Sequence, residues 1–239
     1  MRKQELQNNI TRVREKIDRA CERAGRSSAD VTLLAVSKTK PEEDIRLLYE
    51  LGQRDFGENY VQELRAKAEA LPGDIRWHMI GHLQRNKVKY IAPYVAMIHS
   101  VDTLALAQTI DKEASKCGRV IPILIEVNVA GEESKFGVSP AEAPALAEAI
   151  SHLDHVSLAG FMTSAPFVED PEEDRIYFKQ LKQLSVDITQ KNFDNKNGIV
   201  LSMGMSNDYP VAVEEGATLV RVGTDIFGAR HYAKTGENK

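Results

Sequence analysis

The sequence has little cysteine. Only two of its 239 residues are cysteines, Cys21 and Cys117, and their spacing matches no metal-binding or redox motif. The six histidines form no spaced cluster either, so the sequence predicts no metal site. A chain of this length buries enough surface to fold without disulfides or metal. We therefore expect a reduced, cytoplasmic protein.

Long apolar runs and an excess of one charge are also missing. No apolar run approaches the roughly 20 residues of a membrane-spanning helix, and the N-terminus lacks the apolar segment of a signal peptide. The chain has 31 Lys and Arg against 35 Asp and Glu, a net charge of −4. This balance gives no bulk attraction to nucleic acid or to an anionic membrane. We expect neither as a partner.

Short apolar runs alternate with longer helical patterns along the chain. An amphipathic helix comes first and ends near Gly25. The eight predicted strands then cover residues 31–36, 54–56, 76–80, 97–100, 120–127, 156–161, 199–201 and 218–222. Several are near-continuous apolar runs, which is typical of strands buried on both faces of a parallel sheet.

Eight strand–helix units predict a (β/α)8 TIM barrel with an extra N-terminal helix. A doubly wound open sheet is the alternative, which the lack of a Gly-x-Gly-x-x-Gly motif after the first strand weakens. No linker, repeat or break in composition divides the chain, so we expect a single domain over residues 1–239. Asp102, Asp170 and Ser206 are predicted to cap helices.

A lysine follows the first predicted strand, at the end where barrels place their active sites. Lys38 comes directly after a buried run. Desolvation there lowers a lysine pKa and leaves some neutral amine, the form that attacks carbonyl groups. From position alone, a lysine that extends its amine from the strand end into solvent is the alternative. We expect Lys40 to be solvated.

The loops after the seventh and eighth strands are rich in Gly, Ser and Thr. They cover residues 202–206 and 223–228. Such loops offer backbone N–H groups and hydroxyls to an anion, and barrels often hold phosphate between them. Two tight glycine turns without a ligand are the alternative. Arg221 either faces the barrel mouth or pairs with a carboxylate.

The third strand and its loop contain two histidines, for which we predict different roles. His78 lies within the strand and is predicted to be a hydrogen-bonded core residue. His82 lies beyond the strand, beside a glycine, where it could stack on a flat ligand.

One ligand would suit both ends of this predicted site, with an aldehyde for the lysine and a phosphate for the loops. Pyridoxal 5′-phosphate (PLP) has both groups. The substrate of a sugar-phosphate aldolase that forms a Schiff base has them too, and these residues do not separate the two.

Five segments, in order, closely resemble the pyridoxal-phosphate homeostasis protein family (the YggS/PROSC family) over nearly the whole chain. They are residues 33–41 (LLAVSKTKP), 56–63 (FGENYVQE), 77–84 (WHMIGHLQ), 201–206 (LSMGMS) and 221–228 (RVGTDIFG). The resemblance implies a barrel like the N-terminal domain of alanine racemase, of the fold-type III PLP enzymes. It implies PLP as the cofactor, held by Lys38 as an internal aldimine.

The same resemblance implies roles for further residues. Arg221 matches the arginine that faces the pyridine nitrogen. The phosphate-binding positions match Ser202, Gly204, Gly223 and Thr224. Positions in or beside the cofactor pocket match Asn59, His82, Met162 and Ser206. Lys135 matches a lysine with a proposed accessory role.

The resemblance leaves a choice between a carrier and an enzyme. Alanine racemase takes its second catalytic base from the C-terminal domain of another subunit, whereas only a short tail follows residue 228 here, so we expect no such domain. An arginine opposite the pyridine nitrogen disfavours its protonation and weakens the ring as an electron sink. We therefore expect a monomeric, non-enzymatic protein that binds and delivers PLP in vitamin B6 homeostasis.

The expected partners are PLP-dependent apoenzymes or enzymes of the vitamin B6 pathway. The alternative is a PLP-dependent, racemase-like enzyme that acts on an unidentified amino acid.

Overall fold

Eight parallel strands close into a barrel in the computed structural model, which describes residues 1–189 and 198–229. The strands are β1 (Thr32–Val36), β2 (Asp55–Glu58), β3 (Arg76–Met79), β4 (Met97–Val101), β5 (Ile121–Glu126), β6 (Val156–Met162), β7 (Val200–Ser202) and β8 (Leu219–Val222). Each pairs with the next, and β8 pairs with β1. The predicted (β/α)8 barrel is confirmed, and the open sheet is excluded.

The helices lie between the strands, except for one at each end of the order. They are α1 (Arg2–Arg23), α2 (Glu42–Glu50), α3 (Val61–Ala70), α4 (Leu104–Lys116), α5 (Ala143–Ser151), α6 (Arg175–Thr189), α7 (Tyr209–Glu214) and α8 (Thr224–Phe227). Short 3-10 turns cover Ser28–Asp30, Arg85–Tyr90 and Pro171–Asp174. None of the described helices is long and apolar enough to cross a membrane.

All eight predicted strands lie within two residues of the observed ones, but two predicted helix caps are wrong. The cap of α4 is the neighbouring Thr103, whose side chain accepts a hydrogen bond from the Leu106 N–H. Asp208, not Ser206, precedes α7. Asp170 does cap the turn before α6, by accepting from the Glu172 N–H.

Helix α1 packs against the barrel with one apolar face. Its buried residues are Leu6, Ile10, Val13, Ile17, Ala20 and Cys21, at the three- and four-residue spacing of a helix face. Two side chains of α1 also bond to α8. Arg2 donates to the carbonyl oxygen of Phe227 (2.9 Å), and Asn9 donates to that of Ile226 (3.0 Å). The N-terminal helix therefore supports the loop that follows β8.

Candidate functional site

A cavity of about 410 Å³ opens at the carboxyl ends of the strands. This volume falls within the range of small-molecule sites, roughly 300–1,000 Å³. Five of the predicted site residues line it: Lys38, Ser206, Arg221, Gly223 and Thr224. They come from the ends of β1, β7 and β8, which barrel closure brings together because β1 pairs with β8.

Lys38 lies in a turn with an unusual backbone. The next residue, Thr39, has φ of +63°, a conformation that costs a non-glycine residue roughly 1–2 kcal/mol. The Thr39 N–H donates to the Glu63 carboxylate (2.8 Å). On the other side of Lys38, the buried Ser37 hydroxyl donates to Glu58 Oε1 (2.5 Å). The backbone is therefore held on both sides of the lysine.

A buried lysine of α3 joins these two contacts. Lys67 Nζ donates to Glu58 Oε1 (2.8 Å), to Glu63 Oε2 (3.0 Å) and to the Ser37 carbonyl oxygen (2.8 Å). Burial raises the pKa of Glu58, and the adjacent Lys67 ammonium opposes that rise. Lys67 thus neutralises buried carboxylates and supports the turn that positions Lys38.

Lys40 also lines the cavity, although we expected it to be solvated. It is half-buried, and its amine donates to the carbonyl oxygens of Gly228 (3.0 Å) and Ala229 (3.3 Å). Lys40 therefore bonds to the backbone that follows α8.

Ser206 has a different role from the predicted helix cap. Its hydroxyl oxygen accepts from the backbone N–H groups of Gly223 (3.3 Å) and Asp225 (3.4 Å). These are long, weak bonds. Ser206, Gly223 and Thr224 thus meet at the cavity, and hydroxyls beside a glycine turn suit a phosphate.

Arg221 is buried and lines the same cavity. Its Nη1 donates to the carbonyl oxygen (2.7 Å) and hydroxyl (2.9 Å) of Ser202. Its Nη2 donates to the Thr163 carbonyl oxygen (2.8 Å) and the Ser164 hydroxyl (3.2 Å). Burial lowers the pKa of Arg221 to about 10, against the charges of Asp208 and Glu126, so the group stays cationic at neutral pH.

A second cavity of about 270 Å³ shares Ile80 with the first. Asn59, His82 and Lys135 line it. The His82 ring stacks on Phe136, with centroids 4.0 Å apart. Stacking of His82 on a flat ligand stays a prediction. Burial and the charge of Asp102 raise the pKa of Glu126, another lining residue, to about 7, whereas Arg221 lowers it.

Three predicted site residues line neither cavity. Ser202 is fully buried, with its hydroxyl between Arg221 and His99. Met162 is buried at the end of β6. Gly204 has φ of +91°, and a Cβ there would lie 2.6 Å from that of Ala212, so this position sets how closely the loop after β7 packs on α7.

Several polar residues inside the barrel were not predicted from the sequence. His99 bonds to both His78 and Ser202, and Asp55 bonds to His78. His78 is thus a hydrogen-bonded core residue, as predicted. Polar residues within strands buried on both faces need partners. Their presence in three consecutive strands was the available signal for a buried network.

Comparison with known proteins identifies the family. The model of the alanine racemase N-terminal domain matches residues 4–231. The pyridoxal phosphate homeostasis protein of Aquifex aeolicus is 49% identical over 224 residues, which cover 93% of this chain and 97% of that protein. The chain belongs to the pyridoxal phosphate homeostasis protein family.

Solved structures agree with this membership of the pyridoxal phosphate homeostasis protein family. PipY of Synechococcus elongatus PCC7942, in a structure with PLP bound, is 38% identical, with a TM-score of 0.78. The alignment covers 89% of this chain and all of that one. An unknown protein from Bifidobacterium adolescentis is 38% identical, with a TM-score of 0.89, over 95% of this chain and 96% of that one.

Proposed function

We infer that this protein binds PLP in the first cavity and holds it covalently through Lys38, as a carrier in vitamin B6 homeostasis. The observation that carries this proposal is the convergence of Lys38, Arg221 and the loop at Gly223 and Thr224 on one cavity. The PLP-bound structure of PipY, a relative of similar fold, supports the choice of ligand.

The residues around the cavity fit the chemistry of this cofactor. The Lys38 amine would hold the aldehyde, and the bonds of Ser37 and Thr39 fix the turn that carries this lysine. The hydroxyls of Ser206 and Thr224, beside the glycine turn at Gly223, would take the phosphate. Among the described residues, the four bonds of Arg221 use Nη1 and Nη2, so its Nε–H would be the group that faces the ring nitrogen.

The charge of Arg221 favours a carrier over an enzyme. A guanidinium that stays cationic at neutral pH disfavours a proton on the ring nitrogen beside it. Amino-acid chemistry on this cofactor relies on the ring as an electron sink. Reversible binding of the PLP aldehyde needs only the Lys38 amine and hydrogen-bond donors for the phosphate. The names of the curated relatives, as homeostasis proteins, support the same reading.

One matched pair of variants tests the covalent site. Lys38→Arg and Lys40→Arg both keep the charge in the cavity and remove one amine. With added PLP, the wild type and Lys40→Arg should show the visible absorption band of a lysine adduct, and Lys38→Arg should lose it. Borohydride reduction and peptide mapping should find the modification on Lys38. Modification of Lys40 or of a surface lysine instead would overturn the assignment.

The racemase-like alternative has one observation in its favour, because the Glu126 carboxyl, which lines the second cavity, has a pKa of about 7. A carboxyl that titrates near neutrality suits a general base. Incubation with single L-amino acids and a chiral assay separates the two functions. Turnover at ordinary enzymatic rates that is lost in Glu126→Gln would show that the protein is an enzyme and not a carrier.

The aldolase alternative predicts that the protein as purified is colourless. It also predicts that alkali releases no phosphopyridoxal compound from it, whereas a PLP carrier releases one.

A further inference from the structure

Five polar side chains form an unbroken chain of hydrogen bonds through the inside of the barrel. Asp55 Oδ1 lies 3.3 Å from His78 Nε2, and His78 Nδ1 lies 2.9 Å from His99 Nε2. His99 Nδ1 lies 3.0 Å from the Ser202 hydroxyl, which lies 2.9 Å from Arg221 Nη1. All five residues are buried.

The chain joins opposite ends of the barrel. Asp55 is the first residue of β2 and forms an ion pair with Arg76, the first residue of β3, whose Nε donates to Asp55 Oδ1 (2.6 Å). Arg221 lies near the end of β8 and lines the proposed cofactor cavity. The Arg76–Asp55 pair at the amino ends of the strands is therefore connected to the cavity at their carboxyl ends.

The carboxylate at one end, together with uncharged imidazole rings in the middle, determines the direction of every bond. A carboxylate only accepts, and an arginine only donates. Bonds to His78 and Arg76 hold the pKa of Asp55 below its ordinary value, although burial acts in the opposite direction, so Asp55 is an anion at neutral pH. His78 must therefore donate to it from Nε2, and a neutral His78 accepts at Nδ1.

The same constraint extends along the chain to the cavity. His99 donates from Nε2 to His78, and a neutral His99 then accepts at Nδ1. Burial holds the pKa of His99 well below its ordinary value, which keeps its ring neutral. The Ser202 hydroxyl therefore gives its proton to His99 and presents a lone pair to Arg221.

This arrangement matters because Arg221 has only uncharged partners in its hydrogen bonds to the described residues: two carbonyl oxygens and two hydroxyls. A carbonyl accepts in any case, but a hydroxyl accepts well only when its own proton points elsewhere. His99 provides that constraint for Ser202.

We propose that Asp55, His78 and His99 are positioning residues, which fix the Ser202 hydroxyl as an acceptor and thereby hold the Arg221 guanidinium towards the ligand cavity. The effect on the bound cofactor rests on the proposed function, in which Arg221 faces the pyridine nitrogen. The direction of the hydrogen bonds does not depend on any ligand.

The first experiment measures the histidine tautomers by nitrogen NMR on the protein without cofactor. His78 and His99 should both carry their proton on Nε2. A proton on Nδ1 of His99 would overturn the proposal, because Ser202 would then accept from His99. This measurement stands even if PLP proves to be the wrong ligand, so it separates failure of this proposal from failure of the proposed function.

The second experiment uses two chain variants and one packing control. Asp55→Asn replaces the obligate acceptor with an amide that also donates, and His99→Gln interrupts the chain. Ile98→Val trims a buried neighbour on β4 and leaves the chain intact. The Arg221 side-chain nitrogen signals should shift in both chain variants and stay unchanged in Ile98→Val.

With PLP added, the chain variants should also show a shifted absorption maximum and roughly fivefold weaker binding, the effect of losing one ordinary hydrogen bond. Asp55→Asn is the conservative variant at the amino end of the strands, so it stays informative if His99→Gln fails to fold. Arg221 signals and a PLP spectrum equal to those of the wild type in Asp55→Asn would overturn the proposal. Equal shifts of the Arg221 signals in Ile98→Val would overturn it too, because they would show that any loosening of the barrel has the same effect.

Discussion

At the scale of single residues, the site depends on buried charged side chains that do not line the cavity. Lys67 and Glu58 lie behind the turn of Lys38, at 6% and 0% exposure. Removing one member of a buried ion pair leaves an uncompensated charge, which costs far more than removing an exposed pair. The turn that carries Lys38 is therefore sensitive to residues that touch no ligand.

Lys67→Met should lower the free energy of unfolding by about 3–5 kcal/mol, because Glu58 stays buried without its cation. Arg65→Met, on the same helix, breaks an exposed pair with Glu69 and should cost less than about 1 kcal/mol. Urea unfolding of the two variants measures the difference. Equally small losses would show that Glu58 accommodates the change by taking up a proton.

At the scale of elements, the positions of the strands were predictable and the starts of the helices less so. Strands buried on both faces produce long apolar runs, which a sequence displays directly. A helix cap depends on which of several nearby polar side chains accepts a hydrogen bond from a free backbone N–H at the start of the helix. Thr103 does so in α4, one residue after the predicted Asp102, and Ser206 bonds to the loop after β8 instead.

The packing of the loop after β7 on α7 gives a matched pair of glycine variants. Gly204 and Gly52 both have φ of +91°, but a Cβ meets α7 at Gly204 and nothing within 4 Å at Gly52. Gly52→Ala should lower the free energy of unfolding by about 1–2 kcal/mol, because of the backbone conformation alone. Gly204→Ala should lower it by about 1–3 kcal/mol more, because the added methyl group overpacks the contact with α7.

Thermal or urea unfolding of both glycine variants checks the difference. PLP binding should weaken only in Gly204→Ala, because only that loop adjoins the cavity. Similar losses in the two variants would contradict the close packing on α7.

At the scale of the whole molecule, closure of the barrel decides which residues meet. Pairing of β1 with β8 places Lys38 beside the loop at Gly223, although these two residues lie 185 positions apart in the sequence. Closure also places Glu126 within the electrostatic influence of Asp102 and Arg221. The ionisation of Glu126 therefore reports on the assembled barrel rather than on any single strand.

Glu126 should make the apoprotein less stable as the pH rises. Its folded pKa of about 7 exceeds its ordinary value of 4.5, so between these values the unfolded chain binds fewer protons than the folded one. The free energy of unfolding should therefore fall through this window, by up to about 1.4 kcal/mol per pH unit from this group. Glu126→Gln should flatten the profile measured by urea unfolding from pH 4.5 to 7.

Glu142→Gln is the matched control for this pH profile. Hydrogen bonds to Ser139 hold the pKa of Glu142 below its ordinary value of 4.5, so its stabilisation is complete above that value and is lost only in more acidic solution. The control should run parallel to the wild type from pH 4.5 to 7. A parallel profile for Glu126→Gln would show that this carboxyl is ionised in the folded protein at lower pH.

The sequence by itself determined the number of strands, their order and the residue that follows each, because apolar periodicity and strand ends are local features. It therefore predicted Lys38 and the Gly223 loop as site components, and the barrel confirms that they share a cavity. Only the tertiary structure decided that Ser202 is committed to His99 and Arg221, and that Lys67 supports the lysine turn. These contacts join residues that lie far apart in the chain, and the direction of each hydrogen bond depends on partners that no local pattern contains.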